Sequence, residues 1–440
     1  MFGTSGIRGP VGDAVTTDLA ADVGRALASA GYERVVLGRD PRPTGAAFAD
    51  ALSAGVRECG GDVYRVGVQS TPTVARSVAW LDADAGVTVT ASHNPPTDNG
   101  VKLWLPSGKA FGPTERETIA ERVEHDDFAF AAWDAFGSEH APGFDPRARH
   151  EAALRDAVSL DGAPSVVVDV GNGAGGVTAS ALDALGCDVT TLNAQEDGHF
   201  PGRPSEPTPQ HCAALGRFLA RSDADFGVAH DGDADRMVAV TGDGEFVPGD
   251  VLLALFGRDA VPAGGALAAP VNTSLAVDDA LADRDASVAR TRVGDVHVAD
   301  RLASDDLAFG GEPSGAWIWP AETLCPDGPL AAAKLAALVA DRGPLADLAA
   351  DVPQYPLRRE SVAVEDKAGV MAGVRERVAA RYDDVDDRDG VRVETDDGWF
   401  LVRASGTQPL VRVTAEARDE RAADALRDTA RTFVEAARGE

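Results

Sequence analysis

The stretch RVVLGRDPRPTGAAFADALSAGVREC, residues 34–59, decides the fold. An apolar, β-branched run stops at a proline- and glycine-rich loop, and a helical pattern follows. SVVVDVGNGAGG (165–176), leading into VTASALDALGC, repeats the form, and ALAAPVNTS (266–274) followed by LAVDDALAD gives it a third time. Such runs predict parallel strands buried on both faces, each feeding a crossover helix. The expected class is therefore α/β for the first three-quarters of the chain. The three units differ in sequence and are unevenly spaced, which predicts three related domains rather than a short-period solenoid.

Three polar or Pro/Gly-rich stretches separate the units: HAPGFDPRAR (140–149), TGDGEFVPGD (241–250) and ADVPQYPLRR (350–359). They set the expected domains at 1–143, 144–246, 247–352 and 353–440. The last has a different grammar. An alternating run, ESVAVE, precedes an amphipathic helix near 366–382, then VRVETDDGWFLVRAS and PLVRVTAEA, with DDG as a hairpin turn between strands. A final helix is expected over 419–437. That pattern predicts a small α+β domain with an antiparallel sheet.

The 440 residues carry 71 acids against 41 Lys plus Arg, a formal charge of −30. A surface this acidic repels nucleic-acid backbones and anionic membranes, so neither is expected as a partner. Only Lys102, Lys109, Lys334 and Lys367 are lysines. Many carboxylates with few lysines is the composition expected of a protein that stays soluble in concentrated salt, where screening removes self-repulsion. A GC-rich genome is the plainer source of the same bias. No signal peptide or membrane span is visible, and Cys59, Cys187, Cys212 and Cys325 lack metal or redox spacing. A soluble cytoplasmic protein is the expectation.

Four loops carry candidate chemistry. In AGVTVTASHNPPTDNGVKLW (85–104) a strand ends near Thr90 and Ser92 stands just beyond it, where ligands of open α/β sheets collect. Pro95 and Pro96 stiffen that loop. His93 follows Ser92 directly, but neighbours in sequence do not form a hydrolase pair and the G-x-S-x-G elbow is missing. In HDGDADRMV (230–238), Asp231, Asp233 and Asp235 alternate after an apolar run, a pattern that converges on one hard cation. Arg236 and Gly242 stand where a calcium loop needs Gly and Glu, so that reading fails. A solvated acidic turn is the alternative. FGGEPSGAW (309–317) places Glu312 and Ser314 among glycines as a turn or a polyol-binding loop, and VRASGTQPLVRV (402–413) offers Arg403, Ser405, Gly406 and Thr407 to a phosphate. FGTSGIRG (2–9) adds Thr4, Ser5 and Arg8 in a glycine-spaced, anion-facing segment.

Taken together and in this order, the loops resemble those of the α-D-phosphohexomutases, along essentially the whole chain. TASHNP (90–95) resembles the family's phosphoserine loop, DGDADR (231–236) its metal loop, GEPSG (311–315) its sugar loop and RASGTQP (403–409) its phosphate loop. GRDPRPTG, NGVK (99–102), VGNGAGG and TRVGDVHV (291–298) also fall where its signatures lie. The resemblance implies four domains around a central cleft, the last like the TATA-binding-protein fold. It implies an isomerase that interconverts hexose 6- and 1-phosphates through a phosphoserine on Ser92 and a hexose 1,6-bisphosphate, the latter also serving as activator.

The resemblance assigns one Mg²⁺ to Ser92, Asp231, Asp233 and Asp235. Arg8, His93 and Lys102 join Ser92 as catalytic residues, Lys102 as a candidate acid/base. Substrate binding falls to Arg236, Gly311, Glu312, Ser314, Gly315, Arg403, Ser405, Gly406 and Thr407. Phosphoserine brings about −1.5 to −2 charges beside three aspartates, so Arg8 and Lys102 supply balance that one divalent ion does not. Two residues depart from the pattern: Ala316 stands where bacterial relatives commonly have His, and Gln408 where phosphoglucosamine mutases commonly have Glu. The SGT triplet and VGDVHV lean toward glucosamine phosphate. Glucose or mannose phosphate, or a phosphoserine-type phosphatase using water, are the alternatives, with a non-catalytic sugar-phosphate sensor a third class. Sugar phosphates are the only expected partners of a monomer or homodimer.

Overall fold

The computed structural model describes residues 1–3, 6–406 and 409–439. The three quoted runs form the strands Arg34–Arg39, Ser165–Asp169 and Ala266–Pro270, and each leads into a helix: Gly45–Glu58, Gly176–Ala184 and Leu275–Ala282. The strands are buried along most of their length, as β-branched runs without polar alternation require.

Each of these strands is the middle of a repeated arrangement. Arg34–Arg39 pairs in parallel with Asp62–Val68 on one side and Ala85–Val89 on the other. Ser165–Asp169 does the same with Asp188–Leu192 and Phe226–His230, and Ala266–Pro270 with Ser287–Thr291 and Gly310–Glu312. The outer strand then turns back as an antiparallel hairpin: Ala85–Val89 with Asp98–Trp104, Phe226–His230 with Met237–Thr241, Gly310–Glu312 with Ala316–Ile318. Three units of different sequence therefore share one topology. Their hairpin turns are residues 90–97, 231–236 and 313–315, which hold the serine loop, the aspartate loop and the heart of the GEPSG loop.

Short strands complete the sheets. Ile7–Pro10 pairs antiparallel with Asp98–Trp104, and Phe246–Val247 extends the second sheet. Leu357–Ala363, Leu410–Ala417, Gly398–Ala404 and Val391–Thr395 form a wholly antiparallel fourth sheet. It is covered by the helices Lys367–Ala379 and Glu420–Arg438.

The cores are not one per unit. Val35, Leu37, Val87 and Leu52 belong to a core confined to the first unit. Val166 and Val228 of the second unit share a continuous core with Leu253, Leu267 and Trp317 of the third. Leu330 and Leu335, on the buried helix Gly328–Arg342, belong to that same core. The fourth sheet has its own core around Val374, Phe400, Val413 and Val434. No helix among the described residues is long and apolar enough to cross a membrane.

Candidate active site

The wholly buried strand Ala85–Val89 delivers Thr90 and Ser92 to its carboxyl end, both under the surface. The equivalent strand of the second unit, Phe226–His230, delivers Asp231 to the same place. Ser92 Oγ donates to Asp231 Oδ2 at 2.6 Å. The side chain of Asp235 and that of Asp233 converge with Asp231, each offering an oxygen within 4.8 Å of the others. His93 Nδ1 stands 3.4 Å from Ser92 Oγ.

Lys102 comes in from the returning strand of the first hairpin. Its Nζ donates to Asp233 Oδ2 at 2.7 Å and also to Asp235 Oδ2, with the side chain almost fully buried. Arg8, on the edge strand paired with Asp98–Trp104, adds its charge to that of Lys102 around Asp233 and His93. The helix Thr71–Trp80 begins beneath the aspartate loop, capped by Ser70. Thr71 N donates to Asp233 O at 2.8 Å, and Thr71 Oγ1 to Asp233 Oδ2.

This crowding sets the charges. Burial and the neighbouring Asp235 and Asp233 carboxylates push Asp231 well above the ordinary carboxylate range. Burial acts the same way on Asp233, but the Lys102 ammonium and the Thr71 hydroxyl more than reverse it, so Asp233 stays ionised. Burial opposes the charge on Lys102, and Asp233 and Asp235 overcome that opposition and hold it protonated. Burial, then Arg236, Arg8 and Lys102, drive His93 down to about 2, leaving a neutral imidazole that can share a hydrogen bond but carries no charge.

The donor set suits a hard divalent cation. Asp233 Oδ1 and Asp235 Oδ1 are buried with no hydrogen-bond partner, an expensive state for a carboxylate oxygen unless something binds it. Hard oxygen ligands, carboxylates above all, are what magnesium takes. Ser92, Asp231, Asp233 and Asp235 are the residues that would hold it.

The third unit abuts this cluster. Met237 N donates to Gly315 O at 2.9 Å, and Trp317 Nε1 to Met237 O at 2.8 Å, so the GEPSG turn lies against the strand that leaves the aspartate loop. Gly315 has φ +101°, and a Cβ there would sit 2.9 Å from Met237 O. Only glycine fits. Arg236, whose N donates to Asp231 Oδ1 at 3.2 Å, bridges to Ala316. Gly311 is buried beside Glu312, while Ser314 is exposed and donates to Glu312 Oε2 at 3.3 Å. Glu312 Oε1 accepts Gly294 N at 2.7 Å. Burial first, and then Asp295, raises the Glu312 carboxyl above its ordinary range.

The phosphate-loop residues belong to the fourth sheet. Arg403 Nη1 donates to Asp389 Oδ2 at 3.2 Å, and the same oxygen accepts Val293 N at 3.0 Å. Val293 precedes Gly294, so Arg403 and Glu312 are tied to one short segment. Ser405 O accepts Lys367 Nζ at 2.7 Å, and Gly406 is exposed. Thr407, and Thr4 and Ser5 at the amino end, lie outside the described residues.

The sequence reading left out several groups the site depends on: Asp40, Arg42, Thr71, Thr90 and Ser205. The signal for two of them was present, since Asp40 and Arg42 are charges placed directly behind an apolar strand in GRDPRPTG.

Models of the phosphoglucomutase/phosphomannomutase alpha/beta/alpha domains I, II and III match residues 1–130, 150–244 and 248–355, and that of the family's C-terminal domain matches 361–432. A probable phosphoglucosamine mutase of Methanopyrus kandleri is 46% identical over 435 residues, covering 97% of this chain and 96% of the relative. One from Methanothermobacter thermautotrophicus is 44% identical over 450 residues, covering 99% and 98%. Among solved structures, a phosphoglucomutase/phosphomannomutase family protein of Burkholderia thailandensis superposes with a TM-score of 0.88 at 27% identity, covering 99% of this chain and 98% of the other.

Proposed function

The chain belongs to the phosphoglucomutase/phosphomannomutase family and is a phosphohexomutase, an isomerase, and from that premise we propose that it interconverts glucosamine 6-phosphate and glucosamine 1-phosphate. The observation that carries the mechanism is the 2.6 Å contact between Ser92 Oγ and Asp231. The sugar is supported by the relatives' names.

Ser92 carries the phosphoryl group. A free sugar hydroxyl attacks phosphorus, the new O–P bond forms, and the bond to Ser92 Oγ breaks, leaving a hexose 1,6-bisphosphate and free serine. The intermediate turns over, its other phosphate is attacked by Ser92 Oγ, and the isomeric monophosphate departs. Asp231 accepts the Ser92 hydrogen bond in the unphosphorylated state and is placed to take that proton when Oγ attacks. Lys102, held protonated, and Arg8 offset charge on the transferring group, which is where phosphoryl transfer gains most from its surroundings. A magnesium ion on the aspartates and Ser92 would add Lewis-acid neutralisation of phosphoryl oxygens.

Glu312 and Ser314, with Gly311 and Gly315 allowing close approach, bind the sugar hydroxyls. Arg236 stands between the metal and sugar loops. Arg403, Ser405, Gly406 and Thr407 grip the phosphate that is not reacting. Hexose 1,6-bisphosphate acts as activator by recharging Ser92. The four functional loops map onto domains bounded at 1–143, 144–246, 247–352 and 353–440.

The test is an assay in high KCl with Mg²⁺, comparing glucosamine, glucose and mannose phosphates for wild type and Ser92→Ala. Ser92→Ala is expected to lose isomerisation while still binding sugar phosphate, and intact mass should show a phosphoryl group on the wild type alone after bisphosphate treatment. A Ser92→Ala protein that still interconverts the two phosphates ends this mechanism.

A further inference from the structure

Ser92 has φ +53°, a left-handed conformation that a non-glycine residue keeps only when its surroundings over-determine it. Both main-chain atoms of the residue are engaged. Its N–H donates to Thr90 Oγ1 at 2.8 Å. Its carbonyl accepts two donors, Arg42 Nη2 at 2.9 Å and Ser205 Oγ at 2.8 Å.

Arg42 reaches the loop from GRDPRPTG, wholly buried. The same guanidinium donates to Asn94 O at 2.7 Å, to Asp98 O at 2.9 Å and to Pro95 O, so it spans the loop from end to end. Asp40 fixes its direction, accepting Nε at 2.9 Å and the Arg42 N–H at 3.0 Å, and Phe200 lies under it with its ring centre 5.0 Å away. Asp40 Oδ2 also accepts Thr90 Oγ1 at 2.7 Å, which closes the circuit back to Ser92 N. A planar fork with five donors can serve several carbonyls at once, and an ammonium cannot.

Ser205 comes from the second unit. While its hydroxyl donates to Ser92 O, it accepts Gly232 N at 3.0 Å, so one oxygen joins the nucleophile loop to the aspartate loop. The fit is tight. A Cβ on Gly232 would lie 2.7 Å from Ser205 Oγ and 2.8 Å from Ser92 O.

We infer that Arg42 and Ser205 are positioning residues for phosphoryl transfer, holding Ser92 by its carbonyl so that Oγ points at Asp231. The inference rests on the reading of Ser92 as phosphoryl carrier. Ser205→Ala removes one hydroxyl and no charge. Its kcat is expected to fall about 10- to 100-fold, the scale set by a misplacement of about 1 Å, with KM for the sugar phosphate held within about twofold. Amide hydrogen exchange across residues 90–99 should quicken in Ser205→Ala while the thermal midpoint stays near that of wild type. Arg42→Lys should lower kcat further, because Lys cannot bridge the loop.

Wild-type kcat in Ser205→Ala overturns the inference, as does unchanged exchange across 90–99 or a KM that rises in step with a lowered melting temperature. Ser92→Ala measured alongside separates the two claims. If it turns over, the phosphoserine reading fails; if it is inert while Ser205→Ala behaves as wild type, only the positioning role fails.

Discussion

The serine loop and the RASGTQP loop, the two proposed to meet phosphate, are anchored in different ways. Around residues 90–98, four carbonyls converge on one buried guanidinium, and Ser92 is held at its nitrogen and its oxygen. Around residues 403–406, Arg403 leans on a partly exposed Asp389, Ser405 N donates to Leu410 O at 2.9 Å while its carbonyl accepts Lys367 Nζ, and among the described residues a Cβ on Gly406 would meet nothing within 4 Å. The difference follows from the reaction proposed. The atom that makes and breaks bonds must be in one place each time, whereas the distal grip must accept a phosphate on either end of a sugar that turns over. A wholly buried ion pair directs the first, and a part-exposed one the second.

Arg403→Ala tests the contrast most directly. Losing a charge-assisted contact is expected to raise KM for the sugar phosphate about 10- to 100-fold, with single-turnover transfer from phospho-Ser92 less affected. If kcat collapses at unchanged KM, the phosphate loop belongs with the fixed machinery.

Next comes the seam that carries the phosphate-loop sheet. Glu416, buried, accepts Ser274 Oγ at 2.7 Å, Leu275 N at 2.7 Å and Trp399 Nε1 at 2.9 Å. Glu416→Gln replaces a charged acceptor by a neutral one at a helix start, an expected cost of about 1–3 kcal/mol. Limited proteolysis should then release the fourth domain earlier than in wild type, while the nucleophile loop's exchange stays slow. Equal acceleration in both places would erase the distinction drawn between them.

The smallest effect is a pH slope on the fixed side. His150 is buried, with Nδ1 2.8 Å from Thr73 Oγ1 and Nε2 3.2 Å from Asp327 Oδ2. Burial lowers its pKa below the ordinary 6.5, more than Asp327 raises it. The unfolded chain therefore takes up a proton that the folded one refuses, so this contribution is complete above about pH 6.5 and drains away as pH falls below it. Urea unfolding between pH 7 and pH 5 should show a shallower decline in His150→Gln than in wild type. Parallel slopes would remove His150 from the account.

How far the sequence could be read follows the same division. Arg34–Arg39, Ser165–Asp169 and Ala266–Pro270 announced themselves because burial on both faces leaves an unbroken apolar run. The chemistry-bearing loops announced themselves because each packs its polar groups into a few consecutive residues. What stayed hidden depends on meetings across long stretches of chain. Ser205 touches Ser92 from 113 positions away, and Thr71 touches Asp233 from 162. No local pattern encodes such contacts; they exist only once the units have docked. Strands as short as Phe246–Val247 are equally silent, since two residues carry no period.

Gly232 has a consequence for motion. Where a single methyl group would strike the carbonyl of Ser92, sliding the first two units past each other meets backbone at once. Between the third unit and the fourth sheet the joint is of another kind: one buried carboxylate, Glu416, reaches across and holds a helix start.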